Sequence, residues 1–160
     1  MKLPTSNVGR IALAIFPSSS STLYAAIQDG PNATFGNLLR VWKSTDGGVN
    51  WSQLTIPDFC TPQCWYDLVV AVDPANASIV FAGGSAQNGT LYESPDGGAT
   101  WSQVDNENGT SGVMLHVDHH AVAFASDGSK VYVGNDGGVW SSTNVSNPKA
   151  NWTNLNAHSP

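Results

Sequence analysis

Ser44-Thr45-Asp46-Gly47-Gly48-Val49-Asn50-Trp51-Ser52-Gln53 returns fifty residues later as Ser94-Pro95-Asp96-Gly97-Gly98-Ala99-Thr100-Trp101-Ser102-Gln103. Asp46 and Asp96 are placed to accept hydrogen bonds from backbone N–H groups of their own turn, and Ser44 and Ser94 can do so more weakly. Gly47-Gly48 and Gly97-Gly98 supply the positive φ values of a tight hairpin. Trp51 and Trp101 then bring a large apolar surface against a neighbouring sheet. A carboxylate in such a turn looks catalytic, yet every element of the pattern is accounted for by turn chemistry. The reading for Asp46 and Asp96 is structural.

Working outward, the beat continues. Ser142-Thr143-Asn144 followed by Trp152-Thr153-Asn154 is a third, worn copy in phase with the other two. Short apolar runs repeat with it. First strands are expected at Ile11–Phe16, Leu68–Val72 and Ala121–Ala125, and second strands at Thr22–Ile27, Ile79–Ala82 and Lys130–Gly134. Third strands are expected at Leu39–Trp42, Thr90–Tyr92 and Gly138–Trp140, and fourth strands open on Trp51, Trp101 and Trp152. Four strands per repeat of this length are the mark of propeller blades. Ala12, Ala14, Ala71, Ala121, Ala123 and Ala125 suit innermost strands crowded around an axis. The fold class predicted is all-β: a partial β-propeller of three four-stranded antiparallel blades with Asp-box hairpins. Residues 1–160 form one segment, with blades at about 8–57, 65–106 and 114–157.

A closed propeller needs at least four blades, and open sheet edges invite association. The expected partners are therefore the remaining blades of a longer chain, with a carbohydrate or protein ligand besides. Composition excludes other classes. A net charge of −6 with six scattered basic residues offers no face for nucleic acid. No apolar run approaches the length of a membrane-spanning helix. Met1-Lys2-Leu3-Pro4 is not followed by a signal-peptide hydrophobic region. Cys60-Thr61-Pro62-Gln63-Cys64 can close a small disulfide loop, or hold two free thiols. No motif asks for a cofactor.

The two Ser-x-Asp-Gly-Gly-x-x-Trp copies resemble the bacterial neuraminidase repeat, or Asp-box, shared by sialidases, xyloglucanase-type glycoside hydrolases and sortilin-type receptors. Finer features are similar to large secreted bacterial propellers of unassigned role. These are Cys64-Trp65-Tyr66-Asp67, His116-Val117-Asp118-His119-His120, and Tyr132-Val133-Gly134-Asn135-Asp136-Gly137-Gly138. The resemblance implies a secreted or cell-surface protein whose ring continues beyond this chain. It also implies that Ser44, Asp46, Gly47, Gly48, Trp51, Ser94, Asp96, Gly97, Gly98 and Trp101 sit on outer hairpins away from any ligand. Sialidase chemistry requires three arginines around the substrate carboxylate. This chain has Arg10 and Arg40 alone.

The densest chemistry is His116-Val117-Asp118-His119-His120. If it is extended, His116, Asp118 and His120 share a face, where they could bind a polar ligand or, as weak candidates, a divalent metal, while His119 points the other way. Asp67 enters the second blade beside Trp65 and Tyr66, the pairing of flat apolar rings and carboxylate that sugars use. Trp42, Trp51, Trp101, Trp140 and Trp152 fall at repeat-equivalent positions and read as packing residues, which leaves Trp65 as the exposed aromatic. Asp67 with Asp118 is the one carboxylate pair to nominate for glycosidic hydrolysis. Asn135-Asp136-Gly137-Gly138 mimics the repeat motif out of phase and reads as a short hairpin. The function expected is a non-catalytic binding or scaffold segment of a secreted propeller, with Trp65, Tyr66, Asp67, His116, Asp118, His119 and His120 as ligand-binding residues. The alternative is a segment of a xyloglucanase-like glycoside hydrolase using paired carboxylates.

Overall fold

The computed structural model describes residues 1–30, 36–85, 90–105, 115–147 and 152–156. They form three four-stranded antiparallel meanders. The first runs through β1 (Val8–Ile15), β2 (Leu23–Asp29), β3 (Leu38–Ser44) and β4 (Ser52–Leu54). The second contains β5 (Val69–Val72), β6 (Val80–Gly83), β7 (Leu91–Ser94) and β8 (Ser102–Gln103), and the third β9 (His119–Phe124), β10 (Val131–Asn135), β11 (Gly138–Ser142) and β12 (Thr153–Asn154). No helix occurs among the described residues. The first strands lie side by side, β1 against β5 and β5 against β9, as innermost strands of successive propeller blades must. The blade limits predicted at 106, 114 and 157 fall outside the described residues.

The middle sheet presents alternate residues to its two neighbours. Tyr24, Ala26 and Val41 of the first blade meet Val70, Val72 and Val80 of the second in one core. Phe81 and Leu91 turn the other way and meet Val131, Val133, Trp140 and Trp152 in another. The small residues of the first strands follow from this crowding: Ala14 packs into the first of these cores beside Val70 and Val72.

The Asp-Gly-Gly turns are built as their residues dictate. Asp46 Oδ1 accepts from the Asn50 backbone N–H at 2.7 Å, and Asp96 Oδ1 from that of Thr100 at 2.8 Å. Ser44 and Ser94 hydroxyls accept from Gly48 and Gly98 N–H at 2.9 and 2.7 Å. In the worn third copy only Ser142 Oγ still accepts, from Asn144 N–H at 3.1 Å, among the described residues. The repeat tryptophans precede their strands rather than opening them. Trp152 nevertheless crosses between blades, its indole N–H donating to the Val104 carbonyl at 2.8 Å.

One expectation needs correction. His116–His120 is not extended, because Asp118 has φ +65° and the strand starts only at His119. The shared face proposed for His116, Asp118 and His120 is therefore not formed.

Candidate functional site

In an antiparallel meander the connections alternate between two ends of the sheet. The first-to-second and third-to-fourth turns, including the Asp-Gly-Gly turns, share one end. The second-to-third loops and the links between blades share the other. At the first end the innermost strands flank a trough of about 430 Å³, lined by Leu13, Ile15, Val72 and Val122 among others and by no ionisable side chain. The chemistry gathers at the opposite mouth.

The link from β4 to β5 carries the aromatics. Cys60 and Cys64 are joined by a disulfide, and Asp58 Oδ1 accepts from the Cys60 and Thr61 backbone N–H groups at 3.1 and 3.0 Å. Cys64 N–H donates to the Gly36 carbonyl at 2.8 Å, tying the link to the loop between β2 and β3. Arg10 Nη1 donates to the Tyr66 carbonyl at 2.6 Å. On this frame Trp65 and Tyr66 stand 58% and 47% exposed, their ring centroids 5.5 Å apart at an interplanar angle of 39°. The five repeat tryptophans sit in or against the cores instead, with Trp42, Trp51, Trp140 and Trp152 buried and Trp101 packed against the first core.

Tyr66 meets His120 edge to face at 4.9 Å. His120 lies between two carboxylates: Nδ1 is 3.2 Å from Asp67 Oδ1, and Nε2 is 2.7 Å from Asp136 Oδ1. Asp67 is fully buried, and neither of its oxygens meets a donor in hydrogen-bond alignment, the His120 contact included. Burial, then the charge of Asp118, push the Asp67 carboxyl up to about 6; His120 pulls the other way and Asp136 adds to the rise. Asp118 is held by the Ser85 hydroxyl, and Gln63 Nε2 approaches it at 3.4 Å. His116 is exposed, with Nδ1 3.6 Å from Asp118 Oδ2.

His119 goes elsewhere. It is fully buried between the second and third blades, its Nε2 3.0 Å from Thr90 Oγ1, which in turn donates to Asp105 Oδ2 at 2.6 Å. Burial holds it neutral, below the usual imidazole range, against the opposing charges of Asp105 and Asp118. His119 is thus a clip in the blade joint and is withdrawn from the ligand set. The pairing of Asp67 with Asp118 is corrected as well: a fully buried carboxylate cannot face another across a sugar. Nor is a metal set assembled at the mouth. Among the described residues only Asp58, Cys60 and Cys64 bring three ligand atoms within 4.8 Å, and both of those sulfurs are spent in the disulfide.

The structure adds Asp136, Arg10, Ser85 and Gln63, which sequence reasoning did not place here. For Asp136 a signal existed: an Asp-Gly-Gly between second and third strands must lie at the end opposite the repeat turns, with the inter-blade links.

No family model matches the chain. It is 33% identical over 103 residues to a xyloglucanase of Hypocrea jecorina (strain QM6a), covering 62% of this chain. It is 27% identical over 175 aligned positions to a xyloglucanase of Paenibacillus sp, covering 89%. The chain spans only 12% and 15% of the length of these relatives. Among solved structures it is similar to the Niastella koreensis GH74 enzyme, with TM-score 0.65, 27% identity, and coverage of 94% of this chain and 23% of that one. The GH74 xyloglucanase of Xanthomonas campestris matches with TM-score 0.66 at 20% identity, over 93% of this chain and 23% of that one, a likeness of fold. The three meanders are propeller blades.

Proposed function

We propose that this chain is the carbohydrate-binding sector of a larger extracellular β-propeller directed at β-linked glucans of the xyloglucan kind. The observation that carries the reading is the exposed Trp65–Tyr66 pair running without a break into His120 and Asp136. Two flat apolar rings stack on pyranose faces, while an imidazole and a carboxylate at their edge meet hydroxyl groups. The similarity to xyloglucanases supplies the ligand class. A disulfide in the same loop suits an oxidising compartment.

Calorimetric titration of the 160-residue chain with xyloglucan oligosaccharides tests this. Trp65→Ala is expected to weaken binding about tenfold or more, with folding unchanged because the ring is mostly in solvent. Undiminished affinity in that variant removes the reading.

A second reading, hydrolysis, is favoured by the relatives' activity. A glycosidase needs carboxylates on both sides of the scissile bond. In this chain Asp136 is an exposed carboxylate at the mouth, in contact with His120, and its opposite number would come from another blade of the ring. Release of reducing ends from xyloglucan by this chain, abolished in Asp136→Asn, would establish the second reading over the first.

A further inference from the structure

Asp67 is a carboxylate with no exposure and no aligned hydrogen-bond donor, set directly behind the ring of His120. The Asp67 carboxyl backs His120 Nδ1 at 3.2 Å. On the far side, Nε2 and Asp136 Oδ1 are 2.7 Å apart, a separation that requires a hydrogen between them. Asp136 is half exposed, with side-chain exposure of 51%, and is best solvated as its anion. The hydrogen on that axis therefore belongs to His120. The ring is further limited by the Tyr66 edge contact, and the turn bearing Asp136 is anchored by Asn135, whose Nδ2 donates to the His116 carbonyl at 2.8 Å and whose Oδ1 accepts from Gly137 N–H at 3.0 Å.

We propose that His120 is a positioning residue: backed by Asp67 at Nδ1, it holds the Asp136 carboxylate at the mouth through a charge-assisted hydrogen bond from Nε2, leaving Oδ2 as an oriented acceptor for the hydroxyls of a sugar stacked on Trp65 and Tyr66. This deepens the carbohydrate-binding reading and rests on it. The groups that touch the His120 ring are Asp67 and Tyr66 from the link into β5 and Asp136 from the β10–β11 turn, while Asp118 and His116 pair with each other and His119 is turned into the blade joint. Arg10 of β1 reaches the Tyr66 carbonyl behind them. Without the bridge, Asp136 would have to be immobilised by each incoming ligand, which lowers affinity about three- to tenfold.

The test uses the full chain labelled with ¹⁵N and read at about pH 8, above the ordinary imidazole range. Nε2 of His120, the nitrogen facing Asp136, is expected to bear hydrogen. In parallel, affinity for a xyloglucan oligosaccharide should fall about fivefold in His120→Ala. Asp136→Asn, a change on an exposed turn that spares the core, should fall equally and covers the case in which His120→Ala does not fold. A bare Nε2 in the unaltered chain overturns the proposal. So does affinity within about twofold of the unaltered chain in both variants. A chain that binds no xyloglucan oligosaccharide sinks the carbohydrate reading, while the nitrogen signals still report on the bridge. Trp65-dependent binding that ignores His120 sinks the bridge alone.

Discussion

At the scale of single residues, two buried carboxyls, Glu93 and Asp67, are pushed above the ordinary carboxylate range and tie folding to pH. Glu93, in the middle of β7, is almost fully buried, and Oε1 has no partner. Burial, then the charge of Asp96, push it up to about 7 from an ordinary value of 4.5. The folded state thus holds a proton that the unfolded chain has released. The associated stability is present below about pH 4.5 and is lost as pH rises through about 7. Glu93→Gln mimics the protonated side chain. It is expected to match the parent at pH 4.5 and to exceed it by about 1–3 kcal/mol at pH 8. Urea titrations at the two pH values decide this, and a variant that tracks the parent at both refutes it. Asp67 follows the same sign, but its burial beside His120 serves the mouth rather than the core.

At the scale of the element, the Asp-Gly-Gly turns look alike in sequence and differ in what surrounds them. Gly47 has φ +71° and open space where a Cβ would go. Gly98 has φ +95°, and a Cβ there would meet Leu54 Cδ1 of the first blade at 2.5 Å. The second turn is a docking surface: its Gly97 carbonyl accepts from Lys43 Nζ at 3.0 Å and from the Tyr24 hydroxyl at 3.3 Å. Gly47→Ala should therefore cost about 1–2 kcal/mol, the price of the left-handed backbone. Gly98→Ala should cost clearly more, because Leu54 must also move. Denaturant midpoints compare them directly, and equal losses would show that the turn does not bear on the first blade. The motif was fully legible in the sequence because Asp, Gly and Trp act locally. Its difference of environment was not, since Lys43 and Tyr24 lie more than fifty residues from Gly97.

At the scale of the whole molecule, the two outer blade faces stand without a neighbouring sheet. On the first blade Ile11, Leu13 and Ile15 are 46%, 61% and 52% exposed. They share a face with Ala25 and Ile27, which pack with Trp42, Trp51 and Leu3. A contiguous apolar strand face of this kind favours association. In our reading it is where another blade of the ring seats. Leu13→Lys is expected to reduce self-association of the isolated chain in light scattering without lowering its melting temperature. An unchanged scattering mass at matched concentration would show that this stripe is not an adhesive face.

What the sequence determined by itself is the repeat: strand order, blade count, the turn chemistry, and Trp65 as the aromatic outside the beat. These depend on interactions within a few residues or on a periodicity that a single chain displays. The mouth was only half visible. His116, Asp118 and His120 looked like one face because an extended backbone was assumed, and a left-handed Asp118 dispersed them. The bracketing of His120 by Asp67 and Asp136 joins two blades across 53 and 16 residues of chain. Only tertiary structure could decide it, because the packing angle between sheets, and not any local preference, sets which loops meet at the end of a propeller.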